Sequence, residues 1–161
     1  MIARLSALRQ RPDFKPVDAD LNQLVSEAVE RLDGMPGVEL TKELHPLPGM
    51  LADREQIQSV VTNLLLNARD AVSSSGRIQV RTDHHGGRIV LSVADNGCGM
   101  SPEFLRDSLF RPFQSTKSKG LGIGMFQSRM VVEAHGGSIE VDSETGKGTT
   151  VRVSFPAESA T

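Results

Sequence analysis

The chain has 161 residues, 38% hydrophobic and 24% charged, with a formal net charge of −2, the profile of one globular domain that needs no disulfide or metal to build a core. The near-neutral balance supplies no basic field, so no nucleic-acid partner is expected. The single cysteine, Cys98, excludes an internal disulfide, and the lack of a long apolar run or signal-peptide core predicts a cytoplasmic location, as a free domain or as part of a membrane-anchored protein.

Residues 1–10 put Ile2, Leu5 and Leu8 at helical spacing. That is too short to be stable alone and is read as the tail of a longer helix. Pro12 and Pro16 bracket a linker. From Asp20 onward, Leu21, Leu24, Val25, Ala28 and Leu32 form an amphipathic stripe that ends at the turn 34–37. Residues 38–44 read as a strand. Asp53 and Gln56 form a capping pair for a helix with Ile57, Val60, Val61, Leu64, Leu65 and Ala68 on one face. Segments 77–82 and 88–94 alternate around His84-His85-Gly86-Gly87 and predict a hairpin. Ser101-Pro102-Glu103 opens a short helix. Ile123, Phe126, Met130 and Ala134 mark a further helix, stopped by Gly136-Gly137, and strands near 138–142 and 149–155 close the chain. Five strands and three main helices in mixed order predict a two-layer α/β sandwich, a mixed five-stranded sheet covered by helices.

Four stretches carry chemistry. Asn63 and Asn67, four apart in VVTNLLLNARDAV, share one helical face beside the apolar stripe. An amide oxygen is a neutral ligand for Mg²⁺, although two amides facing water would have the same spacing. In IVLSVADNGCGM a strand ends at Asp95, and Gly97 and Gly99 turn the backbone. Such a carboxylate can accept a hydrogen bond from an adenine amino group, and an ordinary Asp-Asn-Gly turn would look alike. Cys98 only fills that loop.

In LFRPFQSTKSKGLGIGM, Phe110 and Phe113 read as anchors and Lys117 and Lys119 as phosphate-neutralising cations. Gly120, Gly122 and Gly124 open backbone N–H groups at a helix start, as a flexible linker would. Thr149, in GKGTT, places a hydroxyl at a strand start. No histidine has metal-ligand spacing; His135 ends a helix, where a cation suits the dipole.

In this order, NLLLNARDA, DNGCGM, LFRPFQSTK, GLGIGM and GKGTT resemble the ATP-binding catalytic domain of sensor histidine kinases, over roughly residues 18–156. The match is to that family's N box, two glycine boxes and F box, in the nitrogen-regulation type. The resemblance implies the Bergerat-type α/β sandwich, with residues 1–17 as the end of a dimerisation-hairpin helix plus linker and 18–161 as the catalytic domain. It implies ATP and Mg²⁺ as ligands, with Asn67 on the metal and Asn63 its neighbour near the phosphates. Asp95 would read adenine in a pocket shaped by Gly97 and Gly99, with Thr149 beside it. Phe113, Thr116 and Lys117 would belong to the phosphate-facing lid, and Gly120, Leu121, Gly122, Ile123 and Gly124 to its hinge.

Two departures refine the expectation. ATP-hydrolysing relatives of this fold carry a glutamate four residues before the magnesium asparagine, as a general base; here that position is Asn63, which cannot take a proton. Phosphoryl transfer is therefore favoured over hydrolysis. No histidine stands in an acceptor context. The implied partners are then a histidine-bearing dimerisation domain and a response regulator, with the isolated domain monomeric. A serine kinase of the anti-sigma-factor type is the alternative, as is a non-catalytic nucleotide-dependent module. Asp70 stands where the family often has a basic residue, so no phosphate contact is expected there.

Overall fold

The computed structural model of the chain describes residues 16–32, 37–72, 75–107, 109 and 122–157. Their elements run β1 (Pro16–Ala19), α1 (Leu21–Leu32), β2 (Val38–Leu44), β3 (Met50–Asp53), α2 (Arg54–Val72), β4 (Gly76–His85), β5 (Arg88–Asp95), α3 (Pro102–Asp107), α4 (Gly122–Ala134), β6 (Ser138–Glu144) and β7 (Gly148–Pro156). Five strands form one sheet in the order β2-β4-β5-β7-β6. β2 runs parallel to β4 and the other neighbours are antiparallel, which is the mixed sheet expected from the sequence.

Alternation decides which face is covered. Ile78 and Val80 of β4, Ile89, Leu91 and Val93 of β5, and Val151, Val153 and Phe155 of β7 are all buried. They meet Ile57, Val60, Val61, Leu64 and Leu65 of α2 and Leu21, Leu24, Val25 and Ala28 of α1 in one core. The intervening Arg77, Gln79 and Arg81 are exposed, so the helices lie on one face and the other faces water. Thr82 is wholly buried at a core position. Its hydroxyl donates to Asn22 Oδ1 (2.8 Å) and accepts from the His45 N–H (3.1 Å), while Asn22 Nδ2 donates to the His45 carbonyl (2.7 Å). Each polar group in that ring has a partner, which is what makes its burial tolerable.

The local signals hold. Asp53 Oδ1 accepts the Gln56 N–H (3.2 Å) and caps α2. Gly86 and Gly87, at φ +55° and +79°, form the two-residue turn whose positive φ angles match the twist of a hairpin. After α4, the Gly136 N–H bonds Glu133 O (3.0 Å) and the Gly137 N–H bonds Val132 O (2.9 Å). With Gly136 at φ +80°, this is a Schellman stop.

Two expectations change. Pro16 and Val17 do not belong to the linker: Pro16–Ala19 pairs antiparallel with Met50–Asp53 as a separate two-stranded ribbon. Strands of four residues are too short to show alternation, and a proline is tolerated where a strand starts. His135 is not a cation on a helix end. Its Nε2 accepts the Asp53 N–H (3.1 Å), so Nδ1 carries the proton and donates to the Val131 carbonyl (2.8 Å). The ring also meets Phe155 edge-on at 6.3 Å. A neutral imidazole therefore ties the end of α4 to the cap of α2. Among the described residues no helix is long and apolar enough to cross a membrane.

Candidate nucleotide-binding site

The site is organised by one face of α2. Asn63, Asn67 and Ala71 follow at intervals of four and so stand one above another. At one end, Asn63 Nδ2 donates to Ser128 Oγ (3.0 Å) and approaches Met125 Sδ (3.8 Å) on α4. A Cβ on Gly124 would lie 2.3 Å from Asn63 Oδ1. At the other end, the Cys98 N–H donates to the Ala71 carbonyl (3.2 Å), and a Cβ on Gly97 would lie 2.4 Å from that same oxygen. Both glycine-rich segments therefore abut α2, and Asn67 stands midway between them.

The loop after β5 is held from every side. Asp95 Oδ1 accepts the Gly97 N–H (2.9 Å), closing an Asx turn. Asn96 Oδ1 accepts the Arg77 N–H (2.7 Å), and the Asn96 N–H donates back to Arg77 O (3.2 Å). The Gly146 N–H bonds Cys98 O (2.7 Å). Asp95 lies directly opposite Thr149 in the β5–β7 register, so both side chains share the helix-covered face.

Thr149 is buried at 8% exposure, and its hydroxyl lies 2.7 Å from Ser143 Oγ. Ser143 also accepts the Met100 N–H (2.8 Å) and bonds the Gly148 carbonyl (3.1 Å). Ser143 has one proton and gives it to Gly148 O; Thr149 then donates to Ser143, and its oxygen presents lone pairs. Asp95 and Thr149 thus offer adjacent acceptors at the sheet end.

Two glycines are obligatory here. Gly99 has φ +72°, and a Cβ there would lie 2.0 Å from the Glu144 carbonyl. Gly148 has φ +128°, with the Asp95 carbonyl 2.1 Å from its virtual Cβ. Gly99→Ala is expected to destabilise the fold by about 2–4 kcal/mol, from the left-handed backbone and the displaced carbonyl together. Thermal unfolding measures this; a melting temperature within a degree or so of the parent's would show that the loop can rearrange at little cost.

The structure therefore brings together Asn63, Asn67, Asp95, Gly97, Gly99, Gly124 and Thr149. Gly122 and Gly124 lie within α4, not in a loop before it. A side chain at 124 would displace the Asn63 amide that rests against it. Phe113, Thr116, Lys117, Gly120 and Leu121 lie outside the described residues, and of Gly122 and Ile123 only the helical backbone is described. Asp70 Oδ1 lies 3.6 Å from the Arg69 guanidinium. Sequence reasoning missed Ser128, Ser143 and Gly148. Only the Gly-Lys-Gly-Thr pattern pointed to the last.

Residues 52–159 match the family described as histidine kinase-, DNA gyrase B-, and HSP90-like ATPase. The signal transduction histidine-protein kinase AtoS of Escherichia coli (strain K12) is 38% identical over 119 residues, 73% of this chain and 19% of that protein. The nitrogen regulation protein NtrY of Azorhizobium caulinodans is 31% identical over 169 residues, covering 98% of this chain and 22% of its own length. Full-length ShkA, solved in complex with AMPPNP, superposes with a TM-score of 0.79 at 28% identity, over 98% of this chain and 34% of that one. The chain thus spans only about a fifth of the length of these two curated relatives. With the family profile covering most of the chain and the same α/β sandwich in a solved relative, this chain belongs to the histidine kinase-, DNA gyrase B- and HSP90-like ATPase family.

Proposed function

We propose that residues 16–161, counting β1 with the domain, are the ATP-binding catalytic domain of a two-component sensor histidine kinase of the nitrogen-regulation type, and residues 1–15 the end of its dimerisation hairpin plus linker. The domain passes the γ-phosphoryl group of ATP to a histidine on the dimerisation domain, from which a response regulator receives it. The parent works in the cytoplasm or on the cytoplasmic side of a membrane. The observation that carries this reading is the α2 face, with Asn67 midway between the two glycine-rich segments that Asn63 and Ala71 contact.

The residues fit the ligand. Asp95 accepts the adenine amino group and Thr149 offers a second oxygen beside it. Gly97 and Gly99 shape the loop beside Asp95, because no side chain fits where their backbones pass the Ala71 and Glu144 carbonyls. Asn67 supplies a neutral oxygen suited to Mg²⁺, and Asn63 borders the phosphates. Mg²⁺, when bound, would neutralise phosphate charge, and the family resemblance assigns Phe113, Thr116 and Lys117 to the nucleotide and Gly120 to Gly124 to the hinge of the lid. Positioning and charge neutralisation are the main requirements of phosphoryl transfer.

The test supplies a histidine-bearing dimerisation hairpin from a relative in trans, with labelled ATP and Mg²⁺. Acid-labile, base-stable label on that histidine is expected. Acid-stable label on serine of a separate protein would favour the anti-sigma-factor type of kinase instead. Binding without any transfer would leave a nucleotide-dependent interaction module.

A further inference from the structure

We infer that Ser128 is a positioning residue for the magnesium–phosphate end of this site and acts through Asn63; the inference rests on the function proposed above. Ser128 sits within α4 at 3% exposure, where an alanine would pack and propagate the helix better. Its hydroxyl accepts from Asn63 Nδ2 at 3.0 Å, and the thioether of Met125, also buried, lies 3.8 Å from the same nitrogen. The thioether can only accept and the hydroxyl accepts here, so the amide turns its N–H₂ toward Met125 and Ser128 and its Oδ1 toward Gly124. The side-chain-free Gly124 is what lets α4 come this close.

The consequence reaches the nucleotide through helix geometry. Asn63 stands one turn before Asn67 on the same face, and its amide is held by α4. One hydrogen bond therefore registers α2, which carries Asn67, against α4. Removing the Ser128 hydroxyl leaves Nδ2 with only a weak thioether acceptor, and the amide is free to turn about its last torsion. An N–H then replaces the oxygen at Gly124, and the N-terminal half of the α2 face loosens. Asp95 and Thr149, at the other end of α2, keep all their contacts, so adenine recognition is unaffected.

Calorimetric titration of the whole chain with ATP, in Mg²⁺ and in EDTA, tests this on the parent, Ser128→Ala, Asn63→Ala and the double variant. Ser128→Ala is expected to weaken Mg²⁺-ATP binding about tenfold, the size of one hydrogen bond. Affinity in EDTA is expected to stay at the parent's value, and the double variant to be no weaker than Asn63→Ala alone. Thermal unfolding of each variant verifies that it is folded. Additive losses, equal losses with and without Mg²⁺, or no loss in Ser128→Ala would each overturn the positioning role while the proposed function stands. A parent chain that binds no ATP at all would overturn both.

Discussion

Asp95→Asn is expected to weaken ATP binding by about a hundredfold while leaving the fold intact, since hydrogen bonds to a charged group contribute about 1.5–3 kcal/mol. The variant separates the loop contact of this side chain from its proposed contact with adenine. Asp95 Oδ1 accepts the Gly97 N–H, and an asparagine oxygen can continue to do so, preserving the loop. What it removes is the carboxylate charge, and it introduces an N–H₂ facing the adenine amino group, so donor meets donor. Isothermal titration calorimetry is the suitable readout because the chain has no Trp or Tyr. Thermal unfolding should move by no more than a few degrees. Unchanged ATP affinity would remove Asp95 from the pocket and with it the assignment of the strand end as the adenine site.

Steady-state ATP hydrolysis by the chain alone is expected to be at least about a hundredfold slower than transfer to a supplied acceptor histidine, because a positioned general base contributes about 10²–10⁴-fold. The position one turn before Asn67 holds an amide, and both the residue type and the packing oppose a base there. Asn63 gives its N–H₂ to Ser128 and rests its oxygen against Gly124. Water bound nearby therefore meets no group able to take its proton from that position. Continuous measurement of phosphate release, against transfer with labelled ATP, checks the ratio. Robust turnover by the isolated chain would mean that another residue serves as base.

The structure also separates what is legible locally from what is not. The amphipathic stripe of α1, the Asp53 cap of α2, the Gly86-Gly87 hairpin and the Gly136-Gly137 stop each arise from residues within a few positions of one another. Near-neighbour periodicity and φ preferences suffice to read them. The β1–β3 ribbon and the Ser143–Thr149–Met100 linkage do not, because their partners are distant in sequence or carry no pattern. His135 shows the same limit more sharply: a helix-end dipole favours a cation, but a backbone N–H from Asp53, far away in the chain, requires a lone pair and wins. A specific hydrogen bond to a partly buried ring outweighs a screened dipole effect.

From the sequence alone came the α/β class, the motif order, the Asn63–Asn67 spacing on one helical face and Asp95 at a strand end, all of which depend on local periodicity and residue chemistry. Only the tertiary structure decided that Ala71 completes that face against the glycine loop, that Thr149 stands across from Asp95, and that Ser128 orients Asn63. Those are contacts between elements, and they exist because the sheet register and the close approach of Gly97, Gly99 and Gly124 bring the backbones together.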